Sequence, residues 1–316
     1  MLQPLSFEQL DIARFVKIAE DFERLWHTLY RQRAKIDLFL ASRNPFRQKS
    51  RERVVIGLLG SLLDLCEVSL RSTKITTLRK LLLHRISPGV FDASHAILRS
   101  NRLWSVRYWE YPWAIMNAEL RDGLRILDVG SGWSLFPMHL SLNRMLVTAV
   151  DTDLVQMSLV SPLLSSLVGA PVRYEIGDVT KLGFADNSFD RVFCISVLEH
   201  LEEAILNERY VNLHRRNLDV IGIGEMLRVL KPGGLLLITV QWSENESDER
   251  SYKLSDILRR LVRPYLGYLL SQEEPRVDWN DYWPKVLKLW QERFPCDSEE
   301  EAQSEAAAAF GIIMRK

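Results

Sequence analysis

Cysteine is scarce in this chain. Cys66, Cys194 and Cys296 stand far apart among 316 residues, in no metal-ligand spacing, and an odd number cannot close a disulfide framework. Such a set reads as reduced packing residues in a cytosolic protein. Net charge is lacking too: 41 Lys and Arg stand against 41 Asp and Glu. A neutral chain suits extensive nucleic-acid binding poorly, although a local basic patch is compatible with it. Long apolar runs are also missing. The longest, Val54–Leu63, is interrupted by glycines and ends at Asp64, whereas a bilayer span takes about 20 residues. Met1–Asp11 carries acids and lacks the basic start and apolar run of a secretory leader. These absences predict a soluble, cytoplasmic protein without a transmembrane segment.

The composition that remains, 47% hydrophobic and 26% charged, is that of a globular chain. Phe15, Ile18, Phe22, Leu25 and Leu29 recur at helical spacing, so residues 5–41 read as one amphipathic helix ended by Asn44-Pro45. Further helices are expected over 54–70 and 75–84, then a turn at Ser87-Pro88-Gly89 and a capped helix opening at Phe91-Asp92-Ala93. Residues 1–120 hold 19 Lys and Arg against 12 Asp and Glu. This excess reads first as the solvated face of a helical cap. Peripheral contact with an anionic membrane through the same basic helices is the sharper alternative.

From Leu124 the pattern changes to short β-type runs alternating with helical stretches, the mark of a parallel sheet with crossover helices. The runs are Arg125–Val129, Met145–Val150, Val172–Ile176, Arg191–Ser196 and Gly234–Val240. Several are continuously apolar, as strands covered on both faces should be. Beyond Val240 come a polar loop, helical stretches over 253–270 and 281–294, an acidic segment over 297–305, and a closing strand over 306–314.

The chemistry sits at Leu127-Asp128-Val129-Gly130-Ser131-Gly132-Trp133-Ser134. A strand ends at Val129, and Gly130 and Gly132 let the following turn be tight and approach a ligand closely. Val147-Thr148-Ala149-Val150-Asp151 is an apolar strand ending in an acid, 19 residues after Gly132. A carboxylate there can accept from both hydroxyls of a ribose. The pair predicts an adenosine-containing ligand. Position 135 is Leu, so the dinucleotide pattern fails at its last glycine. Gly177-Asp178-Val179 follows the third strand, where a carboxylate can meet an adenine amino group and Val179 can pack on the ring. Phe189-Asp190-Arg191-Val192 then leads into Val197-Leu198-Glu199-His200 and on to Met226-Leu227-Arg228-Val229-Leu230-Lys231-Pro232-Gly233-Gly234, a turn that feeds a strand.

In these motifs, over about residues 120–240, the sequence resembles the class I S-adenosylmethionine-dependent methyltransferases of the type that includes the ubiquinone and menaquinone biosynthesis enzymes. The resemblance implies an α/β fold: a mostly parallel, seven-stranded Rossmann-like sheet with an N-terminal helical region and a helical insertion after the fifth strand. It divides the chain into a helical cap (1–104), a cofactor-binding core (105–240), and an insertion with the closing strand (241–316). It implies that Asp128, Gly130, Ser131 and Gly132 surround the methionine end, with Asp151 on the ribose and Thr152 beside the adenine. Asp178 and Val179 would meet the adenine, and the Ser196 carbonyl would lie near the methionine amino group. Ser134 stands where many members have a third glycine, and Trp133 is bulkier than usual.

The cofactor carries the activated methyl group, so the protein mainly aligns donor and acceptor. A base is needed only where the acceptor loses a proton, and Glu199 and His200 are the candidates. The aromatic stretch Trp104, Tyr108, Trp109, Tyr111 and Trp113 precedes the first strand. Tyr108 or Tyr111 could reach the methionine carboxylate, while the tryptophans read as core. Tyr265, Tyr268, Trp279, Tyr282, Trp283 and Trp290 in the insertion suit either packing or a lid over a small amphipathic acceptor. Residues 241–305 hold 15 Asp and Glu against 9 Lys and Arg, which disfavours RNA. The expected function is methyl transfer to a small-molecule, lipid-like or sugar-containing acceptor. The alternatives are a nicotinamide-dependent oxidoreductase or epimerase, disfavoured by Leu135 and Asp178, and a non-catalytic module that binds S-adenosylmethionine.

Overall fold

Apolar runs that start at Arg125 pair side by side because each carries side chains for two covered faces. The structure is a computed structural model and describes residues 2–4, 12–42, 97–98, 107–201, 217–242, 251–270 and 308–316. Its strands are β1 (Leu2–Pro4), β2 (Arg125–Val129), β3 (Leu146–Asp151), β4 (Arg173–Ile176), β5 (Phe189–Ile195), β6 (Leu230–Trp242) and β7 (Ala308–Arg315). They form one sheet in the order β1-β7-β6-β5-β2-β3-β4. β2 through β6 run parallel, and β7 is antiparallel to β6. Six strands thus come from residues 125–315. The seventh is not part of that core: it is the three-residue β1, added antiparallel to the edge of β7.

The described helices are α1 (Ile12–Tyr30), α2 (Arg33–Ser42), α3 (Arg107–Asn117), α4 (Phe136–Leu142), α5 (Ser161–Val168) and α6 (Leu218–Val229). On β5 and β6, Phe193, Ile195, Leu235 and Leu237 face one apolar layer with Phe22, Trp113 and Phe136. Their neighbours Val192, Cys194, Leu236 and Ile238 face a second layer with Ile223, Met226 and Leu261. This two-residue alternation places α1, α3, α4 and α5 on one face and α6 on the other. Cys194 is buried and unpaired, as expected of a packing residue. Cys66 and Cys296 lie outside the described residues.

Three expectations need correction. The single helix over 5–41 is two helices, α1 and α2, separated at Arg31-Gln32. All five residues singled out on its apolar face are buried. The break follows from tertiary contact, because Gln32 Nε2 donates to the Leu167 carbonyl at the end of α5 (2.8 Å). Next, the stretch over 253–270 is not one regular helix. Leu254–Asp256 gives way to a π-helical turn (Ile257–Val262) and a 3₁₀ segment (Arg263–Tyr268). Pro264 has no N–H to donate, which favours such a change of register. Finally, β6 begins four residues before Gly234. Phe189 pairs with Leu230 and Arg191 with Leu235, so Lys231-Pro232-Gly233-Gly234 is a bulge within the strand. The helices expected over 54–70, 75–84, from 91 and over 281–294, and the acidic segment over 297–305, fall outside the described residues.

Candidate functional site

Strand order reverses between β2 and its neighbours β3 and β5, and the crevice outside the carboxyl ends of such strands is where α/β sheets bind ligands. The sequence-derived residues gather along this edge in strand order: Asp178 after β4, Asp151 at the end of β3, Asp128 and the glycine turn at β2, and Ser196 after β5.

The turn is built as the two glycines require. Gly130 (φ +65°) and Gly132 (φ +52°) are left-handed. A Cβ on Gly130 would meet Val197 Cγ2 at 2.4 Å, whereas one on Gly132 would find only the Gly130 carbonyl, at 3.8 Å. The first glycine therefore makes room for the loop after β5, and the second leaves an open cradle. The N–H groups of Gly130 and Ser131 donate to the Val150 carbonyl (2.8 and 3.1 Å). Asp151 Oδ2 accepts from Gly132 N (2.9 Å), and its Oδ1 accepts from Asp153 N (3.0 Å). The carboxylate expected to hold a sugar thus also pins the turn.

Ser134 Oγ accepts from Phe136 N and shares a hydrogen bond with Tyr111 Oη, each at 2.9 Å. Serine here keeps the turn and anchors it to α3. Tyr111 is buried against Phe22 and Phe136, with its hydroxyl engaged by Ser134. The Tyr108 side chain lies outside the described residues. Trp113 is core, as expected, and Trp133 is half-buried against the same layer.

Asp178 is exposed, and its Oδ1 accepts from Thr180 N and Oγ1, both at 2.8 Å. Val179 is buried in the layer under α6, beside Gly222, so little of it faces a ligand. Thr152 is exposed beside Asp151. Glu199 is buried at the start of a 3₁₀ turn, where its Oε1 accepts from Gln241 N (3.2 Å). His200, next along, is half-buried.

A buried polar cluster emerges that the sequence reading missed. Glu110, fully buried on α3, accepts through Oε1 from Ser196 Oγ (2.5 Å) and Thr239 Oγ1 (2.6 Å). Ser196 is itself left-handed (φ +50°), and its N–H donates to the Thr239 carbonyl (3.0 Å). Arg107, one turn before Glu110, reaches the Ile195 carbonyl at 3.5 Å. A signal was present: Glu110 shares a helical face with Trp113 and Ala114, both buried, and a charge on a buried face calls for partners.

Burial dominates the electrostatics. It pushes the Asp128 carboxyl up to about 7, opposed by the Ser131 side chain and reinforced by Asp151. It pushes Glu199 up to about 8, reinforced by Glu110 and opposed by the Gln241 N–H and Arg107. Two carboxyls at the strand ends therefore change protonation near neutrality.

Residues 127–238 match the family model described as a methyltransferase domain. The chain is 26% identical over 173 residues to the ubiquinone/menaquinone biosynthesis C-methyltransferase UbiE of Saccharophagus degradans, covering 53% of this chain and 61% of that protein. It is 23% identical over 206 residues to the demethylmenaquinone methyltransferase of Corynebacterium glutamicum, covering 63% and 74%. A phosphoethanolamine N-methyltransferase 2 of Haemonchus contortus, solved with phosphomonomethylethanolamine and S-adenosylhomocysteine, shares the fold: TM-score 0.50, 18% identity, 74% of this chain and 59% of that one. Among the described residues no helix is long and apolar enough to cross a membrane.

Proposed function

We propose that the protein, whose residues 127–238 match a methyltransferase domain, transfers a methyl group from S-adenosylmethionine to a small, lipid-like acceptor of the quinone-precursor kind. One observation carries the reading: Asp151, at the tip of β3, grips the N–H of Gly132 in the turn after β2, beside an open glycine cradle. The donor set fits an adenosyl ligand. Asp151 has acceptor capacity left for a ribose, and Glu110 Oε2 is buried without a hydrogen-bond partner. The acceptor class follows the named activities of the relatives, and the chain spans only 61% of the first-named one.

Bound there, the cofactor would supply a methyl already activated on sulfur. Asp151 and the Gly130–Gly132 turn would orient it, with Asp128 and Ser131 lining its methionine end and Thr152 and Asp178 near its base. Once ionised, which burial holds back until about pH 8, Glu199 would take the acceptor's proton, with His200 as the neighbouring alternative. We further propose that residues 1–104 form the cap, 105–240 the core and 241–316 the lid with the closing strand. The protein would work in the cytoplasm, with the basic N-terminal helices contacting an anionic membrane that stores the acceptor. Calorimetry should show S-adenosylhomocysteine binding, and methyl-labelled S-adenosylmethionine should label an aromatic quinone precursor in preference to sugars. No uptake of S-adenosylhomocysteine by folded protein would overturn the reading.

Glu199 supplies a second test with a definite sign. Between about 4.5 and about 8 the folded chain holds a proton that the unfolded chain has lost. Its contribution to stability is therefore complete at low pH and declines as pH rises through that window. Glu199→Gln keeps an acceptor for the Gln241 N–H and never ionises. Its melting temperature should match the parent at pH 5 and exceed it at pH 8.5, by about 2 kcal/mol or more in stability. Its methyl transfer should fall about 100-fold or more if Glu199 takes the proton. An equal shift in melting temperature at both pH values would contradict the buried, protonated carboxyl.

A further inference from the structure

We infer that Arg107 and Glu110, one turn apart on α3, are the paired charges that read the zwitterionic amino-acid end of the cofactor, Arg107 taking its carboxylate and Glu110 its ammonium. The inference rests on the cofactor reading above and names residues the sequence reading did not assign. Glu110 is held rigidly, since Ser196 and Thr239 both donate to Oε1. Its other oxygen is buried and accepts no hydrogen bond. Arg107 Nη1 stands 4.0 Å from Oε2, too far to donate. A fully buried carboxylate oxygen left in this state is costly unless a cation completes it.

Arg107 likewise has donors to spare. A guanidinium carries five N–H groups. Its side chain keeps 39% exposure, and its hydrogen bond to the Ile195 carbonyl is a long one, at 3.5 Å. Ile195 and Ser196, which the pair contacts, close β5, so both charges stand at the carboxyl end of β5, next to β2. Two opposite charges, separated by slightly more than a hydrogen bond at a strand-end crevice, complement a ligand with both charges on one carbon. A nucleoside ending in a neutral thioether offers nothing to either. The Tyr111 hydroxyl, the other described candidate for the carboxylate, shares a hydrogen bond with Ser134 Oγ.

The test compares S-adenosylhomocysteine with methylthioadenosine, which lacks the amino-acid end, by calorimetry on the full chain. Glu110→Gln and Arg107→Met should each weaken S-adenosylhomocysteine by at least about 30-fold, the scale of losing a charge-assisted hydrogen bond. Methylthioadenosine should stay within about threefold of the parent. An analogue lacking only the carboxylate separates the two roles: Arg107→Met should bind it as the parent does, and Glu110→Gln should not. Equal losses for both adenosyl ligands, or no loss for S-adenosylhomocysteine, would make the pair purely structural and overturn the inference. Failure of the parent chain to bind either ligand would instead remove the cofactor reading, and this inference with it. Should Glu110→Gln fail to fold by circular dichroism, Arg107→Met on the half-buried partner still decides the carboxylate half.

Discussion

Gly130→Ala should lower the melting temperature by about 5–15 °C and abolish measurable S-adenosylhomocysteine binding. Two costs add. A left-handed residue with a Cβ costs roughly 1–2 kcal/mol, and Gly130 sits at φ +65°. The new methyl would also overlap Val197, meeting Cγ2 at 2.4 Å and Cγ1 at 2.5 Å. Overpacking of this kind costs about 1–3 kcal/mol, and each kcal/mol lowers the melting point by about 2–4 °C in a chain of this size. The overlap pushes the β5 loop away from the turn and so moves Ser196, the neighbour of Val197. Gly169→Ala is the control. Gly169 is also left-handed (φ +71°), but a Cβ there meets nothing within 4 Å, so it should carry the strain alone. Adding Val197→Ala should recover much of the stability of Gly130→Ala, because the two sites share one contact. If Gly130→Ala and Gly169→Ala behave alike, close packing of the turn on the β5 loop is not what requires glycine.

The strands were the most legible part of the chain. β2 is found over the residues expected, and β3, β4 and β5 begin or end within two residues of expectation. Apolar runs of four to seven residues between turn signals leave few other readings once helices alternate with them. The break at Arg31-Gln32 was not legible, because the apolar spacing continues through it from Leu29 to Ile36, both buried. What ends α1 there is a contact with Leu167, 135 residues away. β1 was invisible for the same reason: three residues carry no period, and only the free edge of β7 gives them a partner. In the site, the sequence exposed what is local, namely the glycines and the acids at strand tips. It hid what is distant. Nothing near Glu110 announces that hydroxyls 86 and 129 positions away will close on one of its oxygens. Val179, expected against the adenine ring, is buried beside Gly222 under α6, a neighbour 43 positions away that the local pattern does not announce.

Asp151→Asn should weaken S-adenosylhomocysteine by about 30–150-fold, the scale of 2–3 kcal/mol for hydrogen bonds to a charged group. Alanine would be the less informative change, because it removes the contacts to both Gly132 N and Asp153 N at once. Asparagine keeps the shape but offers a single oxygen, so one of the two backbone N–H groups faces an amide donor. The loss then has two sources, a loosened turn and a weakened grip on the ribose, and affinity for one ligand cannot separate them. The 2′-deoxy analogue of S-adenosylhomocysteine can. The parent protein should prefer the ribose form by about tenfold, one charge-assisted hydrogen bond. Asp151→Asn should bind the two forms nearly alike. A variant that loses affinity yet keeps the full preference would show that the carboxylate acts only by holding Gly132, and that the ribose is recognised elsewhere.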